Sequence, residues 1–513
     1  MIKIPSSLRF FNKFQRTFLN DDEKKFIKLN KSLTQRTSKK IILLEITEDY
    51  YFLIHNFLLL KEKMFSNKKI IGIWTKCLKR DDGKFNFIRF LLNYLINLLL
   101  KYKWSRLYKS IGVSSVISLN DNFISNILLN NNLITNKKNE INKSEILKLS
   151  YKKIKIGDLI YDYYLRYYLK ATFDVSNIFA INKMLNYIQT SYQNLENFYK
   201  VNKKNLFCYI PQYASYIQHG LPVRYFLKKG VPVIGGMTSN QYVKKFTIND
   251  FLHSYKCQSV KREFHKLNNK NQKRRNARLA LINKFSGNFV KGYEYMKSNP
   301  FKKNKSNLKL NFDVVIFLPN FVDEPHCYGN LVFNDFYEWI VETIEYFKNI
   351  KEVKLAIKIH PNSLYASEIT TNKLRDKYFD LIWLEKNVSN RIIFKNKPRL
   401  IISPYGTVLH EAAYHGIIPL AAGVNPYMSY HFVFTPKNKK EYFILLNKGI
   451  NGQLKLEKDF KKKIEECYYM LFLYNNDYLE NTSRKLYLKK NFLKPGDVNN
   501  ASKIIQIFIK ENI

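Results

Sequence analysis

The sequence predicts an α/β protein of two doubly wound, parallel-sheet domains joined by a basic connector. Three observations predict it. The chain has 513 residues, far more than one ordinary core takes, so length implies two or three domains. Apolar, β-branched runs alternate with helical patterns, the signature of a parallel sheet with crossover helices. The alternation occurs in two blocks, separated by a strongly basic stretch at 258–310.

In the first block KKIILLEI (39–46) reads as a buried strand, a helical pattern follows, and KKIIGIWT (68–75) reads as the next strand. FNFIRFLLNYLINLLLKYKW (85–104) is the one membrane-like stretch. Arg89, Asn93 and Asn97 fall four apart within it and share a helix face, so it reads as an amphipathic helix on a sheet or a contact with an anionic membrane surface, not as a span. GVSSVISL (112–119) is another strand, and the Asn/Lys-rich 120–150 an excursion. The pattern resumes with KIKIGDLIYDYYLR (153–166) and a helix over 176–200. NLFCYIP (205–211) and GVPVIGG (230–236) are strands flanking the helix YASYIQHGLPVRYFLKK. The connector carries KRR at 273–275.

The second block begins at DVVIFLP (313–319) and continues through helix NDFYEWIVETIEYFKN and strands VKLAIKIHP, LIWL (381–384), RLIIS and GIIPLAA. Residues 437–513 read as helical and basic. The expected divisions are 1–308, which includes the connector, then 309–436 and a helical segment 437–513.

Charge and cysteine bound the function. Lys and Arg number 86 against 41 Asp and Glu, a formal net charge of +45 and a pI near 9.8. Such a field attracts polyanions, or it records only the Lys, Asn, Ile, Phe and Tyr loading of an AT-rich genome. The five cysteines are scattered with no CxxC pair. A zinc site and a disulfide framework are therefore not expected, and a reducing cytosol is. MIKIPSSLRFFNKFQRTF has no uninterrupted apolar run, so no signal peptide is expected and the protein is placed in the cytoplasm, peripheral to a membrane if the 85–104 helix touches one.

Two strand ends carry anion-friendly groups. SPYGTVLHEAAYHGIIPLAAG (403–423) joins a strand end to a short helix. In an open parallel sheet, ligands bind beyond the carboxyl ends of the strands. Ser403 sits at such an end, Gly406 permits close backbone approach, and Thr407 is an expected helix N-cap. The free N–H groups there suit an anion. His410 stands where a capping box needs Glu or Gln, so Glu411 has no local claimant: it accepts from ribose hydroxyls, or is a surface Glu after a turn. In KIHP (358–361), Lys358 and His360 share a strand side, facing one phosphate or serving structure.

IKIHPNS, followed some forty residues later by SPYGTVLHEAAYHGIIPLAAGVNPY, resembles the donor-binding half of a GT-B glycosyltransferase of the bacterial capsule and surface-polysaccharide type. DVVIFLPNFVDEPHCYGNLVFNDFYEWIVETI is similar to the start of that half, with Asp323, His326, Phe333 and Trp339 at shared positions; IGDLIYDYYLR and YASYIQHGLPVRYFLKKGVPV are similar to the acceptor half. The resemblance covers roughly 150–430 and fades outside it. It implies two Rossmann-like domains facing across a cleft and a metal-independent transfer, without cofactor, from a nucleotide sugar to a growing polysaccharide or glycolipid. In sialyl- and Kdo-transferring relatives the His of the HP pair contacts the nucleotide phosphate, a role that falls to His360. The turn role falls to Ser403, Gly406 and Thr407, and Glu411 matches a donor-site Glu. A helix dipole with Lys and His can offset an anionic leaving group, and no DxD-like pair stands near these strand ends.

The base is less defined. Asp158 and Asp162, four apart, are candidates or helix-start residues, and His219 is another. The Asp-Asp-Gly turn at 81–83 is a weaker one. Arg166 and Arg224 bind an anionic acceptor or pair with nearby acids. The same fold also serves sugar-nucleotide 2-epimerases and alditol-phosphate transferases. A nucleic-acid-binding protein is the alternative from another class, but no recognition motif is visible and the basic residues are spread along the whole chain.

Overall fold

A computed structural model describes most of residues 14–75, then 87–119, 142–236, 243–252, 257–288, 299–302 and 311–474. The Asp-Asp-Gly turn at 81–83, most of the 120–150 excursion and the end of the basic tail lie outside the described residues.

The first unit runs α1 (Asp21–Asn30), β1 (Ser38–Ile46), β2 (Lys68–Trp74), α2 (Phe87–Ser110), β3 (Val113–Ser118), α3 (Lys143–Lys148), β4 (Ser150–Tyr151), β5 (Ile154–Lys155), α4 (Gly157–Tyr168), α5 (Ile178–Asn202), β6 (Leu206–Ile210), α6 (Tyr216–Lys228), β7 (Val233–Gly236) and β8 (Val243–Phe246). Two connector helices follow, α7 (Cys257–Lys266) and α8 (Lys270–Phe285). The second unit runs β9 (Val314–Phe317), α9 (Phe336–Lys348), β10 (Leu355–Lys358), α10 (Tyr365–Lys377), β11 (Ile382–Leu384), α11 (Asn390–Lys395), β12 (Leu400–Ile402), α12 (Val408–Tyr414), β13 (Ile418–Leu420), α13 (Lys439–Ile450) and α14 (Phe460–Tyr468).

The two sheets share one winding. The first has the order β3-β2-β1-β6-β7-β8 and the second β11-β10-β9-β12-β13. Pairing is parallel throughout, except that β8 runs antiparallel to β7. In each, the chain winds outward one way, then returns beside the first strand and winds the other way. This is the doubly wound, Rossmann-like architecture expected for both blocks.

The continuous apolar runs follow from this layering, because a parallel sheet is covered by helices on both faces. In β1, Ile41 and Leu43 join one core while Ile42, Leu44 and Ile46 join the other, as period-two alternation requires. In β9, Val314 and Ile316 face one side, and Val315 and Phe317 the opposite side.

The connector differs from the expected domain division. Val260, Phe264, Ala277 and Leu281 of α7 and α8 pack with Leu409 and Ala413 of α12 and Ile464 and Cys467 of α14. The basic stretch therefore belongs with the second unit. Its apolar patches, spaced for one helix face, cover α12 and α14 instead of the first sheet. Likewise Tyr442, Leu446 and Ile450 of α13 lie in the second unit's core, so the unit extends past 436.

The units are tied through α4. Asp162 meets His326, with Nδ1 and Oδ1 2.5 Å apart. Asp335, fully buried at the start of α9, accepts from Tyr161 Oη at 2.5 Å and from Thr172 Oγ1 at 2.6 Å, while capping the Glu338 N–H at 2.8 Å.

Candidate functional site

Each doubly wound sheet has a switch point, where strand order reverses and adjacent loops part to leave a crevice. In the first sheet it lies between β1 and β6. Glu45, near the end of β1, is fully buried. Its carboxylate meets Gln212 N–H at 2.7 Å, Thr75 Oγ1 at 3.1 Å and His219 Nδ1 at 2.6 Å. A carboxylate with converging donors acts as acceptor, so the proton belongs on Nδ1 and the lone pair on Nε2. The His219 side chain keeps 15% exposure. Gly220 lets α6 approach α4, since a Cβ there would lie 2.4 Å from Leu159 Cδ2 and 2.6 Å from the Ala214 carbonyl oxygen.

In the second sheet the switch point lies between β9 and β12. Tyr405, just past β12, donates to the Glu324 carbonyl at 2.8 Å, joining the two loops. The Glu324 side chain reaches the first unit, where Ser215 and Tyr216 hydrogen-bond it at the start of α6. Burial, then the charges of Asp323 and Asp162, push its carboxyl up to about 8, against the hydrogen bonds from Ser215 and Tyr216. Burial likewise raises Asp323, with Arg166 opposing. Tyr216 holds φ +60°, a conformation that a bulky side chain adopts only under constraint. The first turn of α6 thus carries Glu324's partners and His219, one from each switch point.

The candidate acceptor-side residues divide. Asp158 forms a buried two-point ion pair with Arg224, at 2.8 and 2.6 Å, and Arg224 also donates to the Lys155 carbonyl at 2.7 Å. Burial opposes ionisation of Asp158, but the guanidinium outweighs it and holds the carboxyl at about 2. A base needs a free lone pair and an anion site needs a free cation, and this pair consumes both. Asp162 is engaged by His326; burial raises its pKa although the imidazole opposes. Burial favours neutral His326, yet Asp162 outweighs this and raises its pKa, and His326 Nε2 is buried with no hydrogen-bond partner among the described residues. Arg166 is half-buried beside Tyr216, Asp323 and Glu324, and these outweigh burial to hold it charged.

On the donor side, β10 ends at Lys358, so alternation does not carry through to His360. The Lys358 ammonium is buried against the carbonyls of Ile359, Glu385 and Lys386 at 3.1, 2.9 and 3.1 Å. Burial pushes it down to about 8. It clamps two strand-end loops. His360 is half-buried and its Nδ1 accepts the Asn362 N–H at 3.1 Å. That leaves Nε2 as its remaining polar edge. Burial, then the Lys358 charge, hold it down at about 4.

Ser403 follows β12 and receives no side chain at Gly406, where a Cβ would lie 2.9 Å from Ser403 Oγ. Thr407 has helical backbone angles and makes no side-chain cap bond, so the expected N-cap is absent and the turn at 406–407 continues into α12. Glu411 is not unclaimed. It is 1% exposed and pairs with Lys284 Nζ of α8 at 2.5 Å, on the side of α12 that faces the connector. The sequence shows no local claimant for this carboxylate, and the claimant is the distant Lys284.

Sequence reading missed Glu45 and the side chain of Glu324. Glu45 carried a signal: it is the one acid inside the buried run IILLEI, and a buried charge demands partners. Glu324 follows Asp323 in a loop, and only the fold brings it to α6.

No family model and no curated protein matches the chain. Solved structures do. KpsC of Thermosulfurimonas dismutans, a beta Kdo 2,4 transferase, matches at 9% identity over 52% of this chain and 80% of that one, with a TM-score of 0.32. S. aureus MnaA with UDP matches at 12% identity, covering 89% and 99%, with a TM-score of 0.25. Anabaena HepE with UDP and glucose matches at 11% identity, covering 92% and 99%, with a TM-score of 0.24. Overlaps of this size assign neither fold nor activity; strand order carries the fold.

Proposed function

We propose that the protein is a glycosyltransferase that moves a sugar from a nucleotide-sugar donor to a surface polysaccharide or glycolipid acceptor. The observation that carries this reading is the convergence of two switch points, one from each sheet, on the first turn of α6. His219, aligned by Glu45, takes the proton of the acceptor hydroxyl on Nε2 as that oxygen attacks the anomeric carbon. The bond from that carbon to the donor's phosphate oxygen breaks. Glu324, neutral near pH 7, donates a hydrogen bond to the anionic site without adding charge. Bound nucleotide lies beyond β10 and β12, with His360 Nε2 and the backbone at 403–407 toward the phosphates.

The test incubates the full chain with UDP-, CMP-, GDP- and CDP-sugars and a panel of oligosaccharide and glycolipid acceptors. Acceptor-dependent nucleotide release with a glycosylated product supports the reading. Conversion of the donor sugar to its epimer without acceptor replaces it with the epimerase reading. Unchanged turnover in His219→Ala overturns the assignment of the base.

A further inference from the structure

We propose that the outward face of α2 is a docking surface for an anionic lipid membrane, on which the helix lies without crossing. The inner face of α2 is spent on the core, where Ile96, Leu100, Trp104, Leu107 and Tyr108 are buried against the first sheet. The outer face should then be polar. Instead Leu92, Leu95, Leu99 and Tyr102 are 38, 47, 36 and 65% exposed. Their spacing of three, four and three residues puts them on one stripe. Leu98 widens it, at 41% exposure. The charge on this helix is one-sided: FIRFLLNYLINLLLKYKWSRLYKS contains Arg89, Lys101, Lys103, Arg106 and Lys109 and no acid.

The stripe runs into charge. Arg106 and Lys109 are exposed and prolong its line by one turn and nearly another, and the Arg106 guanidinium lies 5.8 Å over the Tyr102 ring. Neighbouring α1 is fixed to α2 by the Lys103–Glu23 ion pair at 2.7 Å and adds exposed Lys28. An apolar stripe with an aromatic at its polar end and basic residues beyond suits the boundary between acyl chains and anionic headgroups. No described helix is long and apolar enough to cross a membrane. Charge also selects lipid over a second copy of the chain. Self-pairing would set one acid-free helix against another and bring two chains of +45 together.

The test is co-sedimentation of the full chain with phosphatidylcholine vesicles, pure or mixed with phosphatidylglycerol. The parent should bind the mixed vesicles at least tenfold more strongly than the pure ones. Leu95→Asp/Leu99→Asp should lose at least tenfold. Arg106→Glu/Lys109→Glu should lose the preference for phosphatidylglycerol, at roughly fivefold or more per position at low salt. All four side chains are at the surface, so an unchanged melting temperature verifies each variant's fold. Absent vesicle binding by the parent, equal binding of both vesicle types, or full binding by the leucine variant overturns the proposal. So does a parent that is dimeric without vesicles and monomeric in the leucine variant, because a second copy then covers the face.

Discussion

Two residues bear most of the proposed chemistry. His219 is aligned by Glu45 on one nitrogen and leaves the other toward the site, and loss of such a base typically costs about 10²–10⁴ in rate. His219→Ala should fall in that range in kcat while the melting temperature holds. Glu45→Gln should lower kcat less than His219→Ala does, since an amide still reaches Nδ1 but can present the wrong group to it; an unchanged kcat would show that Glu45 does not orient the base. Glu324 predicts a stability effect with a defined sign. Its pKa is raised from 4.5 to about 8, chiefly by burial. The folded state therefore keeps a proton that the unfolded state releases, and that stability is present below pH 4.5 and lost as pH rises through about 8. His326 has a raised pKa and acts in the same direction. Thermal melts from pH 5 to 9 should fall with pH in the parent, and Glu324→Gln should flatten the slope and be the more stable protein at pH 9. These two sites differed in legibility. His219, before a glycine, was legible as one base candidate among several, whereas its partner lies 174 positions away and meets it only once β1 and β6 are neighbours.

At the scale of elements, strands were the most legible because parallel strands buried on both faces are unbroken apolar runs, as in β1, β2 and β9. Side-chain roles at helix starts were not. The spacing of Asp158 and Asp162 correctly placed them on one helix, but spacing does not reveal that Arg224 and His326 face them. Glu411 was misjudged for the same reason, its partner arriving from a connector that local sequence does not place. That pair predicts a measurable coupling between α8 and α12. Lys284→Met strands a buried carboxylate and should cost about 3–5 kcal/mol, and adding Glu411→Leu should restore most of it. Additive losses in urea melts of the single and double variants would refute the coupling.

Across the whole molecule, the two units contact each other through buried polar hubs, Asp162–His326 and Asp335 with Tyr161 and Thr172. The twin winding was legible from two alternating blocks; the polar ties were not, because they join residues more than 160 positions apart. The net charge of +45 also acts at this scale. Any binding to nucleic acid should be weak, fall steeply with salt and be unchanged by His360→Ala, because it reads only phosphate charge; salt-resistant, sequence-selective binding by filter assay would return weight to a nucleic-acid role. The central claim is that a nucleotide binds at the second sheet's switch point. The most direct measurement is a thermal-shift titration of the parent and His360→Ala with UDP, CMP, GDP and CDP. The account predicts that one nucleotide, at a hundred times its Kd, stabilises the parent by roughly 2.7 kcal/mol and that His360→Ala needs about ten- to a hundredfold more of it. No shift with any of the four, or the same titration in both proteins, would contradict it.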